Sequence, residues 1–181
     1  MARRPRGKIV NGSYHVTLRT AGPVWMFRDD VDRTFFCNRL ARTIRERSWI
    51  CRSFCLMPTH WHLILDVDED TLQPGMHSLN GMYAQWFNKR HGRSGHLGGA
   101  RYDAAHIQSD AHMLTAFRYV GRNPVKDGLC WDPFEWRWSS YRGCIGLEPA
   151  FAFVSNEPMY AYFDSDAATA IRKIREFVAE S

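Results

Sequence analysis

Residues 60–67 read HWHLILDV, between Pro58 and the acidic run Asp68, Glu69 and Asp70. Side chains alternate along a strand, so Trp61, Leu63, Leu65 and Val67 share one face, and His60, His62, Ile64 and Asp66 share the other. The first face is uniformly apolar and has to lie on helices. This stretch constrains the fold most: it demands a sheet with a helical layer on one side and points two imidazoles at the opposite, less covered side. Neutral imidazoles about 7 Å apart along a strand can ligate one divalent ion and leave positions for water or a phosphate oxygen. An isolated H-x-H is more often a pair of hydrogen-bonded surface histidines, and two ligands do not make a site.

The neighbouring segments supply the rest of such a sheet. Residues 8–20, KIVNGSYHVTLRT, alternate in part and read as a strand. Asp29, Asp30 and Asp32 open an amphipathic helix at about 30–47, with Phe36, Leu40 and Ile44 at four-residue spacing. Residues 49–57 and 60–68 are two strands hinged at Pro58. From Pro74 to His91 a second helix carries the stripe Met76, Leu79, Met82, Tyr83, Trp86 and Phe87. Residues 91–110 are Gly-rich, basic loop with a short strand. A third helix follows, capped by Ser109 or Asp110 and ending near Asn123, because Pro124 disfavours the α conformation before it. A last helix at about 166–179 buries Ala170, Ile171, Ile174, Phe177 and Val178. The order β-α-β-β-α-(β) predicts an α+β fold: a ferredoxin-like antiparallel sheet, helices mainly on one face, and a C-terminal helical extension.

At 181 residues with 45% hydrophobic and 14% aromatic content, the chain can build one well-cored domain. No apolar run approaches the roughly 20 residues that cross a bilayer, and the start MARRPRGKIV lacks the apolar core of a signal peptide. A cytoplasmic protein with no membrane association is the expectation, its five cysteines reduced. Cys51 and Cys55 share a strand face but stand too far apart to chelate one ion, and read as core residues. Residues 1–126 carry 19 Lys/Arg against 10 Asp/Glu, whereas residues 127–181 carry 5 against 9. A basic body with an acidic end points toward a polyanion, most simply nucleic acid.

A metal pair needs a reacting partner, and the third helix offers one. Met113, Phe117 and Val120 make its inward line, and His112, Thr115, Tyr119 and Asn123 share another face. Tyr119 thus stands off the core stripe, with Arg118, Arg122 and Lys126 around it. A phenol becomes a useful nucleophile when a metal and cations favour its ionised form. On spacing alone Tyr119 also reads as a packing residue, and Tyr83 competes for the role.

Four motifs, MPTHWHL, NKRHGRSGHLGGARY, RYVGRNPVKDGL and WRWSSYRGCIG, occur in the order and spacing of one family. From about Tyr14 to Gly146 the chain resembles the REP-associated tyrosine transposases, a branch of the HUH single-tyrosine (insertion-sequence) transposases. The resemblance implies that His60 and His62, around Trp61, hold Mg²⁺ or Mn²⁺. It makes Tyr119, which opens Y-x-x-x-N-P-V-K, the nucleophile, and Asn123 the third metal ligand. Three features depart from the family pattern: Thr59 replaces the usual Asn, Gly98, Gly99 and Ala100 replace a bulkier loop, and residues after about 147 match nothing in the family. A domain at 1–147, with a basic arm at 1–8 (Arg3, Arg4, Arg6, Lys8), and an extension at 148–181 follow as the expected organisation.

The implied chemistry is cleavage and rejoining of single-stranded or hairpin DNA through a 5′-phosphotyrosine link, by a monomer or homodimer. Lys89, Arg90, Arg93 and Arg101 are the expected backbone-phosphate contacts, joined by Arg118, Arg122 and Lys126 near the tyrosine. Trp136, Trp138 and Tyr141 read as core residues first and base-stacking residues second. Two other readings stay open: a nucleic-acid hairpin binder without strand transfer, and a metal-dependent phosphoesterase that uses water.

Overall fold

The computed structural model describes residues 9–20, 22, 24–99 and 101–180; the basic arm at 1–8 and Ala100 lie outside the described residues. The chain runs β1 (Gly12–Arg19), α1 (Asp30–Arg47), β2 (Ile50–Leu56), β3 (His60–Val67), α2 (Leu72–Arg90), β4 (Asp103–Ile107) and α3 (Asp110–Lys126). A 3₁₀ turn (Pro133–Glu135) and the short helices α4 (Tyr141–Cys144) and α5 (Glu157–Tyr160) lead to α6 (Ala167–Ala179). The four strands form one antiparallel sheet in the order β2-β3-β1-β4, the ferredoxin-like arrangement.

The alternation in β3 builds two cores, one on each side of the sheet. Trp61, Leu63 and Leu65, with Val16 and Leu18 of β1, bury against Phe36 and Leu40 of α1 and Leu79 and Phe87 of α2. Ile64, on the histidine face, buries with Met113, Phe117 and Val120 of α3 and with Ile174 and Val178 of α6. The face expected to be less covered therefore carries its own helical layer. His60 is 3% exposed and His62 5%. The 148–181 segment packs back onto the body, Phe151, Phe153 and Val154 on the first core and α6 on the second. Among the described residues no helix is long and apolar enough to cross a membrane.

Local chemistry sets most helix ends. Asp29 caps α1 by accepting from the Asp32 amide at 3.0 Å, and Ser48 closes it in the left-handed region. α2 begins at Leu72, so Pro74 takes a first-turn position where no N–H is required. Gly75 is required by packing, since a Cβ there would come within 2.4 Å of the Trp49 ring. Met82, expected in the apolar stripe of α2, is 42% exposed instead. Ser109 caps α3 through the His112 amide.

α3 does not end near Asn123 but continues through Pro124 to Lys126. A proline inside a helix costs about 3 kcal/mol; here both Asn123 and Pro124 are buried, and the packing that holds them offsets that cost. The end is then closed by Asp127 donating to Asn123 and Leu129 to Pro124, with Gly128 at φ 69°. Cys51 and Cys55 are both buried, as read, but on opposite faces, Cys51 in the first core and Cys55 in the second. A register shift between Cys51 and Ser53 adds a residue to β2 and turns the strand over.

Candidate active site

β3 and β1 lie side by side, and α3 crosses the face they share. Between them is a cleft of about 470 Å³, lined among others by His15, Arg19, His60, His62, His112 and Tyr119. Trp61, fully buried between the two histidines along the strand, anchors β3 and fixes where both point. Their rings are edge to face with centroids 5.0 Å apart.

α3 brings the second half of the site. Asn123 Oδ1 lies 3.2 Å from His60 Nε2. Tyr119, one turn earlier, is 40% exposed, its ring 5.4 Å from that of His62 and 5.8 Å from that of His15. Lys126 Nζ lies 5.2 Å from the centre of the Tyr119 ring. Two histidines from β3 and a tyrosine from α3 therefore share one cleft, with Asn123 on His60 and Lys126 beside the tyrosine ring. The tyrosine competing on spacing, Tyr83, is buried against α1 and donates to the Met26 carbonyl.

The site is built to keep its imidazoles neutral. Burial pushes His62 down to about 3, with the neighbouring His15 and His60 adding to the shift. Burial, with Arg19 beside it, lowers His60 as well. Thr59, which stands where the family has Asn, still serves His60: its Oγ1 is 3.1 Å from Nδ1. In one tautomer Thr59 Oγ1–H donates to Nδ1 and His60 Nε2–H donates to Asn123 Oδ1; in the other, Nδ1–H donates to Thr59 and Nε2 offers a lone pair toward a cation. Arg19 Nη2 lies 3.4 Å from His60 Nε2. His62 Nε2 and Asn123 Nδ2 are buried with no hydrogen-bond partner among the described residues.

This donor set fits a small divalent ion. Two imidazoles favour first-row divalent ions, and an amide oxygen with room for water or phosphate oxygens extends the set to Mn²⁺ and Mg²⁺; the 3.2 Å between His60 Nε2 and Asn123 Oδ1 is compatible with two donors roughly 2.1 Å from one ion. Among the described residues, no three His, Cys, Asp or Glu side chains gather to hold a metal. The third donor beside the two imidazoles is the Asn123 amide oxygen.

The basic residues divide into two groups. Lys89 and Arg101 are exposed, Arg101 bordering a second cavity of about 1020 Å³ between α2 and the loop after it. The half-buried Arg93 lies over Phe87. The other group is engaged within the protein. Arg90 pairs with Asp29 at 2.8 Å and with the fully buried Asp32, tying the end of α2 to the start of α1. Arg122 donates to the carbonyls of Val178, Ala179 and Glu180 at the end of α6. Arg118 stacks 3.8 Å over Phe177 and pairs with Glu180. Trp138 and Tyr141 are buried, and Trp136 donates to the Leu56 carbonyl, so the aromatic segment is occupied in packing.

His15 belongs to the cleft although no sequence motif marks it. It lies on β1, 45 residues from the nearer of the two site histidines, and only strand pairing brings it to His62. Its alternation with Tyr14 and Val16 in β1 was the available signal, since it places His15 on the face away from the first core.

The sequence profile described as "Transposase IS200 like" matches residues 8–123, well over half the chain. The chain belongs to this family. No curated protein sequence matches this IS200-like transposase. Among solved structures it is similar to a REP-associated tyrosine transposase bound to a REP hairpin, with 18% identity and a TM-score of 0.69. That match covers 82% of this chain and 89% of the other, and shows a shared fold. A crystal structure of a transposase candidate from Deinococcus radiodurans matches at 15% identity and a TM-score of 0.45, covering 71% of this chain and 98% of that one.

Proposed function

We propose that this IS200-like transposase cleaves and rejoins single-stranded or hairpin DNA through a covalent link to Tyr119. The observation that carries the reading is the convergence of α3 on the β3 histidines: Tyr119 lines the same cleft as His60 and His62, and Asn123, one turn on and buried, contacts His60. The fold it shares with a transposase bound to a REP hairpin supports a structured DNA substrate.

Tyr119 Oη attacks the scissile phosphorus as it gives up its proton to solvent. A P–O bond to the tyrosine forms, the P–O3′ bond breaks, and the released 3′-oxygen takes up a proton. The 5′ end stays on the protein until another 3′-hydroxyl attacks it and returns Tyr119, so no external energy source is consumed. His60, His62 and Asn123 are the residues that would hold Mg²⁺ or Mn²⁺, which supplies Lewis-acid polarisation and orientation of the phosphate. Lys126 and Arg19 place positive charge beside the reacting groups. Lys89, Arg93 and Arg101 are assigned to backbone phosphates; Arg90, Arg118 and Arg122 are committed to internal pairs.

The test is a denaturing gel of labelled single-stranded hairpin DNA incubated with protein and Mn²⁺. A protein–DNA band that disappears in Tyr119→Phe is the expected result. Cleavage that persists in Tyr119→Phe assigns a water-using phosphoesterase instead, and binding without cleavage by the wild type assigns a hairpin binder.

A further inference from the structure

His15 is the cleft residue to which that mechanism gives no part. It belongs to β1, where it pairs with Ile64 across the sheet and leans diagonally onto His62. The two rings are stacked with centroids 5.2 Å apart, and His15 Nε2 is 3.1 Å from His62 Nδ1. That contact occupies one nitrogen of His62. The other, Nε2, is buried without a hydrogen-bond partner among the described residues, in a side chain that lines the cleft.

An imidazole binds a cation through an unprotonated nitrogen, and the partner of its second nitrogen decides which one is free. We propose that His15 is a positioning residue: it accepts a hydrogen bond from Nδ1–H of His62 and so holds the tautomer whose Nε2 lone pair faces the ion. This inference rests on the metal reading above. The proton order follows from the chemistry. His15 carries its own proton on Nδ1 and accepts at Nε2; His62 donates from Nδ1 and keeps Nε2 open. The reverse order places a proton on His62 Nε2 and closes that ligand position. A cation that finds the right tautomer already populated loses no affinity in selecting it. Tyr119, 5.8 Å from the His15 ring and 5.4 Å from that of His62, shares the same support.

The experiment has two arms. In the metal-free wild type, long-range ¹H–¹⁵N correlations should show His62 protonated on Nδ1 and His15 unprotonated on Nε2. His15→Phe keeps a ring against His62 and Tyr119 but removes the acceptor, so His62 should become a tautomer mixture. Mn²⁺ titration followed by electron paramagnetic resonance should show about 10- to 100-fold weaker binding in that variant. His62 protonated on Nε2 in the wild type, or equal Mn²⁺ affinity in the two proteins, overturns the proposal and leaves the metal reading standing. A wild type that binds no Mn²⁺ overturns the metal reading, and with it the ligand role assigned to His62. The wild-type spectrum needs no variant, so a poorly folding His15→Phe leaves the tautomer assignment decidable.

Discussion

A histidine whose ring is buried beside other histidines resists protonation, and this cleft holds three of them. Burial pushes His15 down to about 4 and His62 to about 3, and lowers His60. An unfolded chain protonates its histidines near pH 6.5. Below that value the unfolded state takes up protons that the folded state refuses, so folding stability falls as the pH falls. The decline begins near pH 6.5 and continues until the folded-state values are reached. Urea unfolding of the metal-free protein should therefore show a midpoint that drops from pH 7 to pH 4.5, and His62→Gln should flatten the drop. A midpoint unaffected by pH in this window would show that these rings do not titrate with folding. The same neutrality leaves lone pairs for a cation, so the feature that weakens the fold in acid suits the site at neutral pH.

At the scale of elements, α3 is the piece on which the site depends, because it carries both Tyr119 and Asn123. It is held from below by Met113, Phe117 and Val120 and from the side by α6. Arg122 closes the end of α6 with three hydrogen bonds of 2.8, 2.9 and 3.1 Å to its last carbonyls, and Arg118 covers Phe177. These two arginines lie in the RYVGRNPVKDGL motif, yet their partners are in the segment beyond the residues that the family profile matches. Arg122→Ala should cost about 1–3 kcal/mol, with amide-exchange protection lost first in the last turn of α6. Unchanged protection there would mean that the carbonyls find other donors.

Across the whole molecule the cations differ in their partners. Arg90 ties α2 to α1 through Asp29 and Asp32, and Lys89 and Arg101 stand exposed as the proposed phosphate contacts. Binding to single-stranded DNA should weaken linearly with the logarithm of salt, and each lost phosphate contact should reduce that slope by about 0.7. Lys89→Ala and Arg101→Ala should each show such a reduction. Arg90→Ala should leave the slope alone and lower stability, because the fully buried Asp32 then keeps only His91 and the Arg28 amide as partners. A reduced slope in Arg90→Ala with unchanged stability would reassign that residue to the DNA.

The sequence by itself determined what depends on neighbours along the chain. Period-2 alternation in β3 and the helical stripe of α3 are local, so the apolar anchors Trp61 and Leu63, the two histidines that alternate with them and the off-stripe Tyr119 were all legible. Caps such as Asp29 and Ser109 are local too, and the family motifs lie in short windows. Tertiary structure decided what depends on partners far along the chain. Cross-strand register brings His15 to His62, and ion pairing commits Arg90, Arg118 and Arg122 to carboxylates and carbonyls from other elements. Buried contacts carry α3 through Pro124 against its local preference, and a bulge in β2 sends Cys51 and Cys55 to different cores. The physical reason is the same throughout: periodicity and capping are properties of a segment, while register, desolvation and charge pairing exist only once segments have met.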